Sequence, residues 1–258
     1  MKFLVLFMLA MMAAKAQPPA PPHPNVKHFI PYKEYTQAEN EQVLAAFEGL
    51  RVADVSDGMD AAGLAGVGLV DADIKTLWRD TDSFSHRIIG IAVTCRYVPT
   101  NRREPKMDQP TESRWYREIT TEAFQAALFP GSVLVIDGDQ DGDTRTIGSS
   151  NLLGWKKRGA LGVVTSGAVG DTDEIIRHKV PLYYKRLGRG YRPGRNELES
   201  VNRPVTIGGV LVRPGDVIVA DGDGVIVVPR EHALEVAKAS MRFLDNIGLD
   251  RYKQRKKQ

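Results

Sequence analysis

The sequence predicts an α/β domain built on a mixed sheet. Two β-branched runs at 132–137 (SVLVID) and 160–165 (ALGVVT) flank a short helix-like stretch at 151–158, the succession of a βαβ unit. Residues 204–229 alternate short apolar runs with Gly- and Asp-rich turns, which reads as an antiparallel meander. Capped, amphipathic stretches at both ends supply helices to cover the sheet.

Taken in order, the chain opens with a basic start, a twelve-residue apolar run (3–14) and then Ala14, Lys15 and Ala16, an A-x-A cleavage pattern. The run is shorter than the roughly 20 apolar residues a membrane-spanning helix needs. The expectation is a signal peptide over 1–16 and a secreted or periplasmic mature chain. Residues 17–34 begin QPPAPPHP and form a Pro-rich spacer, 35–247 the folded domain, and 248–258 a basic tail. Removing Lys2 and Lys15 leaves 33 basic against 32 acidic side chains, a balance that does not mark a nucleic-acid binder. A single cysteine, Cys95, excludes an internal disulfide framework and a cysteine-built zinc site.

Thr36 and Glu39 form a capping box ahead of Val43, Leu44 and Phe47, and Gly49 ends that helix. A second short helix carries Val52, Val55 and Met59. Residues 88–98 (IIGIAVTCRYV) read as a buried strand with Cys95 as a core residue, 99–110 as a loop, and 111–129 as one helix with Trp115, Ile119, Ala123 and Ala126 on one side. After 132–137, residues 138–146 read as a polar loop. Beyond the strand at 160–165, Ser166 to Asp171 turns toward a short helix at 173–178. Gly208 and Gly209 mark a tight hairpin, and a last helix spans about 231–246.

Three segments could carry chemistry. Residues 137–142 (DGDQDG) open like a calcium loop, but its twelfth position is Gly148 where a bidentate Glu is required, so a solvated turn is the alternative. Gly148, Ser149, Ser150, Asn151 and Leu152 place small residues at a helix start. The free N–H groups and positive dipole end there suit a carboxylate or phosphate; plain capping by Ser149 or Ser150 is the alternative. Asp171 closes SGAVGD just after a buried strand, where ligand sites of α/β sheets gather, and is either a hard-metal ligand or the cap of the next helix. The histidines do not cluster, and no P-loop, G-x-S-x-G or HExxH pattern occurs.

Read together, VSDG (55–58), GIAVT (90–94), VLVIDG (133–138), GSSNL (148–152), RGALGVV (158–164), SGAVGD (166–171) and GGVLVRPGDVIVADGDGVIVVP (208–229) are similar to the RraA-like family, which includes the 4-hydroxy-4-methyl-2-oxoglutarate (HMG) aldolases. The resemblance covers roughly 42–246. It implies a single-domain three-layer β/β/α sandwich of the swivelling-domain type, assembled as a homotrimer or dimer of trimers. It implies a Mg²⁺- or Mn²⁺-dependent lyase that cleaves or decarboxylates a small 2-oxo acid such as HMG or oxaloacetate. A divalent cation chelated by such an acid is a Lewis acid placed where enolate charge develops. On that pattern Asp171 is the metal ligand and a catalytic residue, and Gly148, Ser149, Ser150, Asn151 and Leu152 bind the substrate carboxylate. Asp245 or Glu235 on the last helix are candidates for a second ligand through water.

The sequence departs from the family where an Arg precedes the metal Asp; here that residue is Gly170. Loss of such a donor costs on the order of 10²–10³ in rate. Arg177, one helical turn on, is the expected catalytic substitute, with Arg186, Arg189, Arg192 and Arg195 as further candidates. The same departure supports the alternative of a non-catalytic RraA-like binding protein. A member of the family that regulates ribonuclease E works in the cytoplasm, and the leader-like N-terminus argues against that role here.

Overall fold

Helix α1 (Gln37–Phe47) starts where the capping box predicts: the Thr36 side chain accepts from the Glu39 amide, and Glu39 returns the bond to the Thr36 N–H. Helix α2 (Val52–Ala61) follows and buries Val52, Val55 and Met59. A computed structural model of the chain describes residues 28–243 together with Asp250 and Lys253. The leader-like segment, most of the spacer and most of the basic tail lie outside the described residues. The chain divides into two units, 1–30 and 31–258, and all that follows belongs to the second.

Its centre is a nine-stranded mixed sheet. Strands β2 (Ile88–Pro99), β3 (Ser132–Asp137), β5 (Ala160–Val169) and β6 (Leu182–Leu187) run parallel in the order β6-β5-β3-β2. Short strand β1 (Lys75–Thr76) pairs antiparallel with β6, and β4 (Arg145–Ile147) runs parallel to the end of β5. On the other side of β2, β10 (Val217–Asp221) and β11 (Gly224–Val228) extend the sheet antiparallel, and β7 (Asn196–Val201) pairs with the far end of β2. The β-branched content of β2, β3 and β5 explains why they are buried on both faces.

Alternation along the strands sorts the core into two faces. Ile91, Val93, Cys95, Tyr97, Leu134 and Ile136 face the helices. Here α1, α2 and α6 (Ala233–Arg242) cover one half, and α4 (Ser149–Lys157) and α5 (Thr172–Arg177) the other. Phe124 meets Trp155 edge-on at 5.2 Å on this side. Ala92, Val133, Val135, Ile218 and Val227 face the opposite way, against the hairpin of β8 (Val205–Ile207) and β9 (Val210–Val212). Gly208 and Gly209 both take positive φ, 49° and 79°, as a two-residue hairpin of this hand demands. The hairpin is a sheet of its own, so the expected continuous meander is in fact two structures, one per layer.

The expected helix at 111–129 is broken. Helix α3 (Gln109–Arg114) runs into a π-helical turn (Trp115–Ile119), then an irregular stretch and a 3₁₀ turn (Ala123–Ala127). Thr120 donates its hydroxyl to Asn196, and the Thr121 carbonyl accepts from the Tyr97 hydroxyl at 2.6 Å. These side-chain partners compete with the helical ladder at a β-branched pair and win. Strand β5 also continues four residues past the expected end, through Ser166 to Val169, with a register irregularity against β6 between Thr165 and Ala168. The last helix begins as a 3₁₀ turn (Arg230–His232), and residues 244–249 lie outside the described residues.

Candidate functional site

The extension of β5 delivers Asp171 to the start of α4. Gly170 follows the strand, and at Asp171 the backbone turns left-handed, φ 52° and ψ 37°, before α5 begins. That region is sparsely populated by non-glycine residues, with Asp among the more tolerant, and it clusters at functional positions. The turn sends the carboxylate back across the strand ends rather than onto α5, which has no side-chain cap bond. Asp171 Oδ2 accepts from the Ser149 N–H at 3.1 Å, and Oδ1 from Arg145 Nη1 at 2.8 Å.

A cavity of about 650 Å³ opens in front of this carboxylate. Gly148, Asn151 and Arg158 line it from α4 and its flanks, Arg145 and Asp171 from the strand ends, Tyr116 and Glu122 from the broken helix, and Tyr191 and Arg192 from the loop after β6. Three guanidinium groups against two carboxylates bias the cavity toward a small anionic ligand.

Of the five residues expected to cradle an anion, the structure brings three together. Gly148 is the N-cap of α4 with no side-chain cap bond, Ser149 meets Asp171, and Asn151 lines the cavity. Ser150 is exposed; Leu152 is buried in the core and its N–H already donates to Gly148 O at 3.1 Å. Neither serine caps the helix; the Asp171 carboxylate takes that role from another element. The amides of Ser150 and Asn151 lie in the first turn, where no intrahelical acceptor exists.

Arg177 is exposed at the end of α5 and does not line the cavity. The guanidinium that reaches Asp171 is Arg145, 26 residues upstream on β4. Its aliphatic stem crosses Gly170: a Cβ built there would lie 2.2 Å from Arg145 Cδ. The missing side chain at 170 is therefore the space the Arg145 stem uses. Of the further candidate arginines, Arg186, which lies on β6 rather than in a loop, pairs with Asp139, Arg189 with Asp143, and Arg195 donates to the Tyr191 carbonyl. Arg192 alone of these lines the cavity, nearly buried, with Nη1 on the Tyr97 hydroxyl at 2.9 Å and Nη2 on Glu122 Oε1 at 2.7 Å. Burial opposes its charge, but Tyr97 and Glu122 outweigh that and its pKa is raised. Burial pushes the Tyr97 hydroxyl well above its ordinary value, keeping it a donor.

In the calcium-like loop the carboxylates of Asp137 and Asp139 already have basic partners, while Gln140, Gly142 and Asp143 are exposed as a solvated turn expects. Asp139 is held by Lys185 at 2.9 Å and Arg186 at 3.3 Å, and Asp137 by Arg96 at 3.5 Å. Glu235 lies on the first turn of α6, 3.8 Å from His232 and away from the cavity; Asp245 falls outside the described residues. Among the described residues no group of three or more His, Cys, Asp or Glu side chains converges as a metal site. The Asp171 surroundings do fit a hard divalent cation that uses few protein ligands. Gly148 leaves an oxygen-lined cradle: a Cβ there would sit 2.6 Å from Asp171 Oδ2 and 3.4 Å from Asn151 Oδ1.

A model of the family described as Aldolase/RraA matches residues 52–227, more than half of the sequence. The chain belongs to the RraA-like family. It is 31% identical to Protein DlpA of Legionella pneumophila over 191 residues, 73% of this chain and 28% of that protein. It is 39% identical over 116 residues to a putative 4-hydroxy-4-methyl-2-oxoglutarate aldolase of Halalkalibacterium halodurans, 42% of this chain and 53% of the relative. The chain thus spans less than two thirds of the length of these curated relatives. The solved structure of Streptomyces coelicolor RraAS2, described as an unusual member of the RNase ES inhibitor RraA protein family, superposes with a TM-score of 0.65 at 21% identity, covering 86% of this chain and 99% of that one. At that identity the match speaks for the fold alone. The broken helix carrying Glu122 and the Arg145 that reaches Asp171 are the parts of this cavity that sequence reading missed, whereas Arg192 is one of the arginines it offered.

Proposed function

We propose that the chain is an exported, divalent-metal-dependent carbon–carbon lyase of the HMG aldolase type, acting on a small 2-oxo acid on a β/β/α sandwich of the swivelling-domain type. One observation carries the reading: Asp171 sits at the start of α4, its Oδ2 on the Ser149 amide, and lines one anion-biased cavity together with Gly148 and Asn151. The Asp171 carboxylate would hold Mg²⁺ or Mn²⁺, with Gly148 leaving room beside it. When bound, such a cation supplies a Lewis acid next to the substrate's 2-oxo oxygen. The first-turn amide of Asn151, on the cavity wall, binds the adjacent carboxylate without adding a titrating group. Arg145 supplies fixed positive charge where the developing oxyanion sits, and Arg158 offers a cation to the far end of a longer acid. Arg145 is better placed than Arg177 for the part that Gly170 leaves open. Export rests on the apolar run and cleavage pattern at 1–16. Assembly as a homotrimer or dimer of trimers is proposed on the family resemblance.

The test is pyruvate release. The purified chain with Mn²⁺ turns over HMG or oxaloacetate above the metal-only rate, EDTA abolishes this and Mn²⁺ restores it. Turnover no faster than metal alone, or full turnover by Asp171→Ala, contradicts the proposal. The Arg145–Asp171 ion pair favours a second reading, a non-catalytic binding protein in which the carboxylate is only a structural partner. Gly170→Arg separates the two, because any side chain at 170 displaces the Arg145 stem. An active wild type harmed by this change is an adapted enzyme; an inert wild type made active by it is a lapsed one.

A further inference from the structure

Glu122 receives four donors: Asn151 Nδ2 at 2.5 Å and Arg192 Nη2 at 2.7 Å on Oε1, Gln125 Nε2 at 2.5 Å and Trp155 Nε1 at 2.8 Å on Oε2. A carboxylate has about four lone-pair sites, so its accepting capacity is filled. An ionised carboxylate only accepts. The Asn151 amide must therefore turn its NH₂ toward Glu122, which leaves Oδ1 on the other side. That oxygen lies on the Gly148 side: the point where a Gly148 Cβ would stand is 3.4 Å from Asn151 Oδ1 and 2.6 Å from Asp171 Oδ2.

We infer that Asn151 Oδ1 is a second protein oxygen of the cation cradle, and that Glu122 is the positioning residue that turns it there. The inference deepens the lyase reading and rests on Asp171 being the principal ligand. Two oxygens, one charged and one an amide carbonyl, are the donor types a hard divalent cation accepts, and waters or substrate oxygens complete its shell. The arrangement gives the broken helix at 115–127 a function: the irregular stretch after the π turn is what brings Glu122 to α4.

The experiment is Mn²⁺ titration followed by the loss of the free-ion electron paramagnetic resonance signal, without substrate, on the wild type and on Asp171→Asn, Asn151→Leu, Glu122→Gln and the Asn151→Leu/Glu122→Gln double variant. Circular dichroism confirms folding without Mn²⁺, and Asn151→Ala carries the same expectation should Leu not fold. Asn151→Leu weakens Mn²⁺ affinity about tenfold, and Glu122→Gln weakens it by a smaller factor. The double variant is no weaker than Asn151→Leu alone, because Glu122 acts through Asn151; a merely structural Glu122 would add its own loss. Asn151→Leu binding Mn²⁺ like the wild type while Asp171→Asn does not would overturn this inference and leave the lyase reading standing. Wild-type affinity in Asp171→Asn would overturn both.

Discussion

Asp171, just past the carboxyl end of β5 on the helix side of the sheet, and Asp137, the last residue of the neighbouring parallel strand β3 on the hairpin side, have opposite surroundings. Asp171 is about one third exposed and opens on a cavity with three arginines on its walls. Asp137 is enclosed beside Ser166 and the hairpin, with Arg96 as its cation, and its neighbour Asp139 is already paired with Lys185 and Arg186. Burial holds the Asp137 carboxyl above its usual range, with Arg96 pulling the other way. The same residue type near two neighbouring strand ends opens on a cavity on one face and is enclosed on the other. What separates them is room: the cavity beside Asp171 holds about 650 Å³, whereas the cleft beside Asp137 holds about 260 Å³ with Arg96 and Lys185 on its walls.

The largest expected effect tests the open face. Asp171→Asn lowers pyruvate release by about 10³-fold, measured as kcat with saturating Mn²⁺. Arg145→Met comes next: it lowers kcat/KM by about 10²-fold through lost oxyanion charge. It also tightens Mn²⁺ binding, because a cation no longer competes for Asp171 Oδ1. Looser Mn²⁺ binding in Arg145→Met would mean the guanidinium orients the carboxylate for the metal rather than opposing it.

The closed face moves far less. Asp139→Asn leaves pyruvate release unchanged and shifts stability by less than about 1 kcal/mol, as a part-exposed ion pair does; loss of activity there would erase the distinction between the faces. Smallest is the pH response of Asp137. Its folded pKa is raised, so the stability it contributes is fully present below the ordinary carboxylate pKa and lost as pH rises through the raised value. Denaturant titrations should therefore show the wild type losing ground to Asp137→Asn as pH increases from acid toward neutral. The opposite trend would mean Arg96 dominates over burial.

The framework was legible in the chain because its signals are local. β-branched runs announced β2, β3 and β5, the capping box announced α1, and paired glycines announced the β8–β9 turn. Strands β6 (LYYKRL) and β7 (NELESV) escaped because they carry charged residues without a clean alternation, and sheet pairing alone makes them strands. In the site, Asp171, Gly148 and Asn151 were readable from strand-end and helix-start positions. Arg145 was not, since its link to Asp171 runs through space left by Gly170, which no sequence window contains. Glu122 was hidden inside an apparently continuous helix. The β-branched pair Thr120 and Thr121 just before it was the available sign of a break.

The most direct measurement is an anomalous difference map from crystals of the chain grown with Mn²⁺ and pyruvate. A manganese peak on the cavity side of Asp171, beside Gly148, is the predicted result. A peak in the Asp137–Asp139 cleft instead, or none beside Asp171 at a Mn²⁺ concentration that supports turnover, would contradict it.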